Sequence, residues 1–245
     1  MNINKKIFFY WKNKFYYQIN YDDNNSGAAT YNIKNVKFIL QKKNFYLFFI
    51  QNCYRQFDSY IKKKNKFSIH KQVQIICKPI PINFLNLYRE SLFFLNFILF
   101  KKDNWKSPLL GAKGIGYECL YKNIEISQIT LFIFFGNKKL FKNVLEITYG
   151  LERIKINKNN NFIYEKFNSI NNLYSKFNFK KIIFLYFFCL INIKKNNFII
   201  SYYIFIKITN MFNLLDEFYF NNNYNRVKII NILKKISEKI LSFLC

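Results

Sequence analysis

Glycine and proline are nearly missing from this chain: 245 residues hold six of the first and three of the second. Histidine occurs once, at His70, and 13 acidic residues face 39 basic ones. A single imidazole leaves a Ser-His-Asp or Cys-His arrangement only one residue to be built on, and nothing around His70 supports either. The five cysteines, at 53, 77, 119, 189 and 245, are odd in number and show no C-x-x-C spacing. That gives no zinc-ligand pattern and fits a reducing, cytosolic compartment. Long apolar runs are absent too. Ile182 to Ile191 and Phe198 to Ile206 fall well short of the ~18 to 20 residues that cross a bilayer, so no membrane association is expected. The apolar stretch Ile7 to Trp11 is too brief for a secretory signal.

What is present is a chain 51% hydrophobic, enough for one large or two small domains with a real core. The net charge of +26 comes almost wholly from lysine, with arginine only at 55, 89, 153 and 226. Nucleic-acid sites favour the arginine fork, and drift towards A/T-rich codons accounts for the lysine excess better than a dedicated polyanion site does. Against that background, residues with G/C-rich codons carry information. Trp105, Pro108, Gly111, Ala112, Gly114, Gly116, Gly136, Gly150 and Arg153 all fall between 103 and 153, whereas 154–245 has no Gly, Pro or Ala. The chemistry is expected in the first two thirds.

Periodicity predicts a helix over Ile7 to Tyr17, strands over Phe45 to Gln51 and Gln72 to Lys78, and a helical stretch from Phe84 to Phe97. Residues 62–66 read as a loop. Tyr117 to Tyr121 and Ile124 to Phe135 are β-branched and aromatic, and they meet across Lys122-Asn123 as a hairpin. That register sets Glu118 opposite Ser127 and Leu120 opposite Glu125, with both carboxylates on one face. Residues 157–161 read as a linker, and the pattern beyond it is helical. Ile229, Leu233, Ile236, Ile240 and Phe243 form the last apolar stripe.

"GAKGIG" (111 to 116) is not a dinucleotide fingerprint: its glycines are ordered G-x-x-G-x-G and precede a strand, not a helix. A P-loop is also absent. "GLER" at Gly150 to Arg153 resembles motif 3 of the class II aminoacyl-tRNA synthetases. Together with "DNWKSPLLGAKGIGYECLYKNIEISQ" (103 to 128) and "EITYGLERI" (146 to 154), it resembles the α subunits of the bacterial heterotetrameric glycyl-tRNA synthetases. "QVQIICKP" (72 to 79) and "FNLLD" (212 to 216) extend the likeness.

The resemblance implies an α+β fold, a class II synthetase-like antiparallel sheet flanked by helices. It implies a catalytic domain over 1–156 and a helical C-terminal region over 157–245. The implied activity is a ligase that activates glycine with ATP and transfers it to tRNA(Gly) in the cytoplasm, with Mg2+ and with a β subunit in an α2β2 assembly. A non-catalytic, basic RNA-binding protein derived from a synthetase is the alternative. By the same resemblance, Arg55 and Arg153 are the catalytic arginines. Arg55, Asp58, His70, Gln72, Glu146 and Arg153 would bind ATP, with Glu146 also on Mg2+. Gly114, Gly116, Glu118, Glu125 and Gln128 would form the glycine pocket. Around Arg55 the chain departs from the family, which carries two adjacent arginines and a glycine-rich loop there.

Overall fold

The computed structural model describes residues 3–19, 26–27, 31–41, 43–54, 69–107, 109–158, 172–219 and 223–243. The first helix, α1 (Ile3–Asn13), starts earlier than its periodicity suggested and stops earlier. Ile3, Ile7 and Trp11 recur every fourth residue and form its buried stripe. It ends because Phe15 takes a left-handed φ of 64° and the Tyr16 N–H bonds back to the Trp11 carbonyl at 3.2 Å. Helix α2 (Ile33–Leu40) starts on Asn32, whose side chain accepts from the Lys34 N–H at 3.0 Å.

The strands are β1 (Tyr17–Gln18), β2 (Ser26–Gly27), β3 (Phe45–Tyr54), β4 (Ile69–Lys78), β5 (Leu99–Ser107), β6 (Ala112–Tyr121), β7 (Ile124–Phe135) and β8 (Lys138–Gly150). They form one sheet in the order β1-β3-β4-β8-β7-β6-β5, with β2 also on β3. The six long strands pair antiparallel, and the two-residue β1 and β2 pair parallel to β3. Lys122 and Asn123 turn the β6–β7 hairpin with φ of 50° and 61°, the left-handed pair that a two-residue turn needs.

Two expectations are corrected. The stretch Phe84 to Phe97 is helical only as α3 (Phe84–Ser91). Leu92 and Leu95 continue into turns, yet they stay buried in the cluster that holds Leu87 and Tyr88 of α3, which is why their spacing imitated a longer helix. In the hairpin, Leu120 does oppose Glu125, but a bulge between Cys119 and Leu120 sets Glu118 opposite Gln128 and Cys119 opposite Ser127.

Strand alternation gives the sheet two apolar faces. On one, Leu47, Phe49, Ile76 and Phe132 pack under α2 and the C-terminal helices α5 (Asn172–Lys194), α6 (Phe198–Tyr219) and α7 (Asn223–Ser242). On the other, Phe48, Val73, Ile75, Ile129 and Ile147 pack under α1, α3 and α4 (Leu151–Lys158). Leu233, Ile236 and Ile240 of α7 are buried as their stripe predicts, while Phe243 is half exposed and stacks on Phe198 at 3.9 Å between centroids. The result is the expected α+β architecture, an antiparallel sheet between helices with a helical C-terminal region. The four described cysteines, Cys53, Cys77, Cys119 and Cys189, are buried thiols. Among the described residues no helix is long and apolar enough to cross a membrane.

Candidate functional site

On the face shared with α2 and the C-terminal helices, the strand pairings line up polar residues in rows. Gln74, Thr148, Gln128, Glu118 and Lys101 are successive partners across β4, β8, β7, β6 and β5. Two residues along, Ile76, Glu146, Thr130, Gly116 and Asp103 form the next row. In the other direction Gln72 pairs with Gly150, where β8 ends and α4 begins. A sheet face that is elsewhere packed core thus turns polar across its middle strands. Buried polar groups are costly unless they are satisfied.

The first row and the start of α4 border an open cleft of about 520 Å³ lined by His70, Gln72, Glu125, Ile126, Ser127, Gln128, Thr148, Gly150, Glu152 and Arg153. Five of the residues expected from sequence therefore meet here: His70, Gln72, Glu125, Gln128 and Arg153. The Arg153 Nη1 donates to the Glu125 carboxylate at 2.9 Å and to the Glu125 carbonyl at 3.0 Å, so the first turn of α4 is tied to β7. Glu152, the residue before it, accepts the Lys71 N–H at 3.0 Å, and burial raises its carboxyl above the usual range. On β4, Gln72 contacts the His70 Nε2 at 3.2 Å and accepts from Gln74 at 3.2 Å. Gln128 donates to Asp103 at 2.7 Å across β6.

The remaining expected residues are placed differently. Glu118 neighbours Gln128, but its carboxylate is held by Lys101 at 3.0 Å, so Glu118 and Glu125 each have their own cation and do not share one. Gly114 and Gly116 lie on the sheet face of the cleft. A Cβ at Gly116 would sit 1.9 Å from the Ile129 carbonyl oxygen, and one at Gly114 would sit 2.7 Å from that of Leu131. Both glycines let β6 close on β7. Arg55 and Asp58 lie outside the described residues.

Glu146 stands one row deeper than the cleft lining. It is 5% exposed and accepts from the Tyr31 hydroxyl, whose carbonyl in turn accepts from the Tyr202 hydroxyl at 2.8 Å. Burial pushes its carboxyl up to about 7, against the opposing pull of the Tyr31 bond. Beside it, the Thr130 Oγ1 and the Gln74 Oε1 are buried without a partner. Three oxygens able to accept hydrogen bonds are thus gathered with too few donors, and a cationic N–H group would satisfy them. Glu146, expected on Mg2+, accepts from Tyr31, and among the described residues no three His, Cys, Asp or Glu side chains cluster.

Sequence reasoning passed over Gln74, Thr130, Thr148, Glu152, Asp103 and Tyr31. The alternation Gln72-x-Gln74 ahead of the apolar run Ile75 to Cys77 was a usable signal, since it sets two amides on one face. Tyr31 carries no such mark, because it reaches Glu146 only through the tertiary fold.

A sequence model of the family described as "Glycyl-tRNA synthetase alpha subunit" matches residues 2–244. A "Glycine--tRNA ligase alpha subunit" of Rickettsia typhi is 36% identical over 141 residues, 55% of this chain and 49% of that one. A "Glycine--tRNA ligase" of Chlamydia muridarum is 38% identical over 135 residues, 52% of this chain and 14% of its own length. The chain thus spans less than half the length of these relatives. Among solved structures, a pyrrolysyl-tRNA synthetase from Desulfitobacterium hafniense superposes with a TM-score of 0.45 at 11% identity, over 64% of this chain and 68% of that one.

Proposed function

The chain belongs to the glycyl-tRNA synthetase alpha subunit family, and from that premise we propose that it activates glycine with ATP and passes the glycyl group to tRNA(Gly). A glycine carboxylate oxygen attacks the α-phosphorus of ATP. The bond from that phosphorus to the bridging oxygen of the β-phosphate breaks, and glycyl-adenylate and pyrophosphate result. No enzyme nucleophile is needed, so catalysis is positioning plus stabilisation of phosphate charge.

The supporting observation is the convergence of two separate stretches of sequence on one cleft: Glu125 and Gln128 from the β6–β7 hairpin, and Gly150, Glu152 and Arg153 from the β8–α4 junction. In this reading Arg153 holds the ATP phosphates with the donors that Glu125 leaves free, and Glu125 fixes the plane of the guanidinium. His70 and Gln72 border the nucleotide. The glycine ammonium sits on Glu146, Thr130 and Gln74, beside Gly116, which contributes no side chain, while Gln128 and Thr148 lie between the two substrates. Room for no β-carbon would reject larger amino acids by clash. Mg2+ arrives on the ATP phosphates, and no step above depends on a protein ligand for it. Arg55 and Asp58 are assigned to the α-phosphate side by the family pattern alone.

Residues 1–156 are proposed as the catalytic part and 157–245 as a helical region. A β subunit, in an α2β2 assembly in the cytoplasm, is proposed to supply most tRNA contacts. The test is glycine-dependent ATP–pyrophosphate exchange by the chain co-expressed with its partner subunit. Exchange driven by glycine and not by alanine is expected. Equal exchange with both, or full exchange by Arg153→Ala, removes the reading.

A further inference from the structure

The opposite face of the sheet carries a second polar surface, at the end of β5 and β6 away from α1, α3 and α4. In the segment Lys101 to Lys106, alternation divides the polar side chains between the two faces. Lys101 and Asp103 stand on the cleft face, bonded to Glu118 and Gln128 respectively. Lys102, Asn104 and Lys106 stand exposed on the other. Lys106 is the direct cross-strand partner of Lys113, and Lys113 is the partner of Phe134, which pairs with Lys139. The Lys113 ammonium lies 5.9 Å from the Phe134 ring centre. Ile115, next on the same face of β6, is 51% exposed, so no described element covers the surface there.

Both carboxylates that β5 and β6 possess, Asp103 and Glu118, point to the cleft side. Among the described residues none of Lys102, Lys106, Lys113 and Lys139 forms an ion pair. Lysines on an edge strand discourage sheet-to-sheet aggregation, which accounts for those on β5. It does not account for Lys113, an interior-strand residue set directly opposite another lysine, a pairing that destabilises the free sheet. Successive lysines on this face of β5 would be about 14 Å apart over four residues, with Lys113 and Lys139 extending the line across the sheet. Ring and aliphatic surface between the cations suits stacked bases.

We propose that this face binds the phosphodiester backbone of an RNA, on the side of the sheet away from the cleft and independently of the chemistry there. The overall lysine excess does not argue for this; the segregation of paired and unpaired charge onto opposite faces of the same two strands does. The proposal stands whether or not the exchange reaction does, because binding and exchange are read separately.

The experiment measures the affinity of the full chain for a fluorescent 20-nucleotide single-stranded RNA across a salt series. Three proteins are compared: wild type, the triple variant Lys106→Gln/Lys113→Gln/Lys139→Gln, and a control triple of equal charge change, Lys12→Gln/Lys180→Gln/Lys194→Gln. The patch variant is expected to lose 10-fold or more in affinity and about 2 in the slope of log K against log salt, at ~0.7 per phosphate contact. The control is expected to stay within about 2-fold. Retained melting temperature shows that the patch variant is folded. Equal losses in the two triples, or wild-type binding to poly-glutamate as tight as to RNA, overturns the proposal, since either means charge without a site.

Discussion

The Arg153 guanidinium and the Glu125 carboxylate face each other at 2.9 Å across the junction of β7 and α4, and the same Nη1 also takes the Glu125 carbonyl at 3.0 Å. This pair closes the cleft from the side of the β8–α4 junction. It is partly solvated, with side-chain exposures of 24% for Arg153 and 37% for Glu125, so its contribution to stability is small, about 0.5 to 1 kcal/mol.

Arg153→Ala is therefore expected to separate activity from stability. Glycine-dependent exchange should fall by about 1,000-fold or more, the scale of losing one fixed electrostatic group at a developing phosphate charge, while thermal unfolding shifts only slightly. Arg153→Lys restores the charge but not the fork and should recover a minor part of the rate. Glu125→Gln should raise KM for ATP with a smaller effect on kcat. Exchange kinetics together with a melting curve check all three, and a large melting shift in Arg153→Ala with proportionate activity loss would make Arg153 structural.

Glu146 gives a pH-dependent outcome. Its folded carboxyl titrates near 7, above the ordinary 4.5, so between those values the native state holds a proton that the unfolded state has released. Stability from this group is present in acid and lost as pH rises through about 7. Glu146→Gln removes the penalty. Its stability relative to wild type should improve between pH 5 and pH 8 by up to roughly 3 kcal/mol, the equivalent of the shift at 1.36 kcal/mol per unit. Denaturant unfolding at the two pH values checks this, and a constant difference would contradict it. The same substitution should weaken glycine activation, because a neutral amide holds an ammonium less well than a carboxylate.

Gly116 and Gly150 predict opposite outcomes from the same change. A Cβ at Gly116 meets the Ile129 carbonyl at 1.9 Å, a backbone atom in the middle of a paired strand. Gly116→Ala must push β6 off β7 and should cost about 3 kcal/mol or more, on the scale of severe overpacking. A Cβ at Gly150 meets its nearest atom, the Ile126 carbonyl oxygen, at 3.3 Å. Gly150→Ala should cost within about 1 kcal/mol, with its main effect on exchange because it narrows the cleft. Urea unfolding of both variants tests the contrast.

The β6–β7 hairpin was legible in the sequence because Lys122-Asn123 interrupts two β-type runs at the length a two-residue turn requires, and both residues adopt the left-handed φ. The bulge after Cys119 was not legible. One extra residue leaves no mark in composition, and it moved Glu118 from Ser127 to Gln128. Strand β5 was missed because "DNW" and its flanking lysines lack the β-branched residues that mark strands, its pairing with β6 being long-range. Arg153 and Glu125 were legible as separate scarce residues. Their contact was not, because it joins a helix start to a strand 28 positions away.

Lys78 shows the same boundary between local and tertiary information. Read along the chain, it is the last residue of β4. In the fold its side chain is 2% exposed and its ammonium donates to the Ile39 carbonyl at 3.1 Å and to the Gln41 carbonyl, satisfying the C-terminal end of α2, with the Phe45 ring centre 5.3 Å away. Helix ends leave carbonyls unpaired, and a buried cation placed there answers both the hydrogen bonds and the dipole. Lys78→Met keeps the aliphatic volume but removes the donors. It should cost about 2 to 3 kcal/mol, the range for a lost hydrogen bond to a charged group plus two carbonyls left unsatisfied. The loss should be local, so amide exchange in 33–40 should accelerate more than in β7 and β8. If exchange rises equally across the sheet, Lys78 contributes to the whole fold and not to the anchoring of α2.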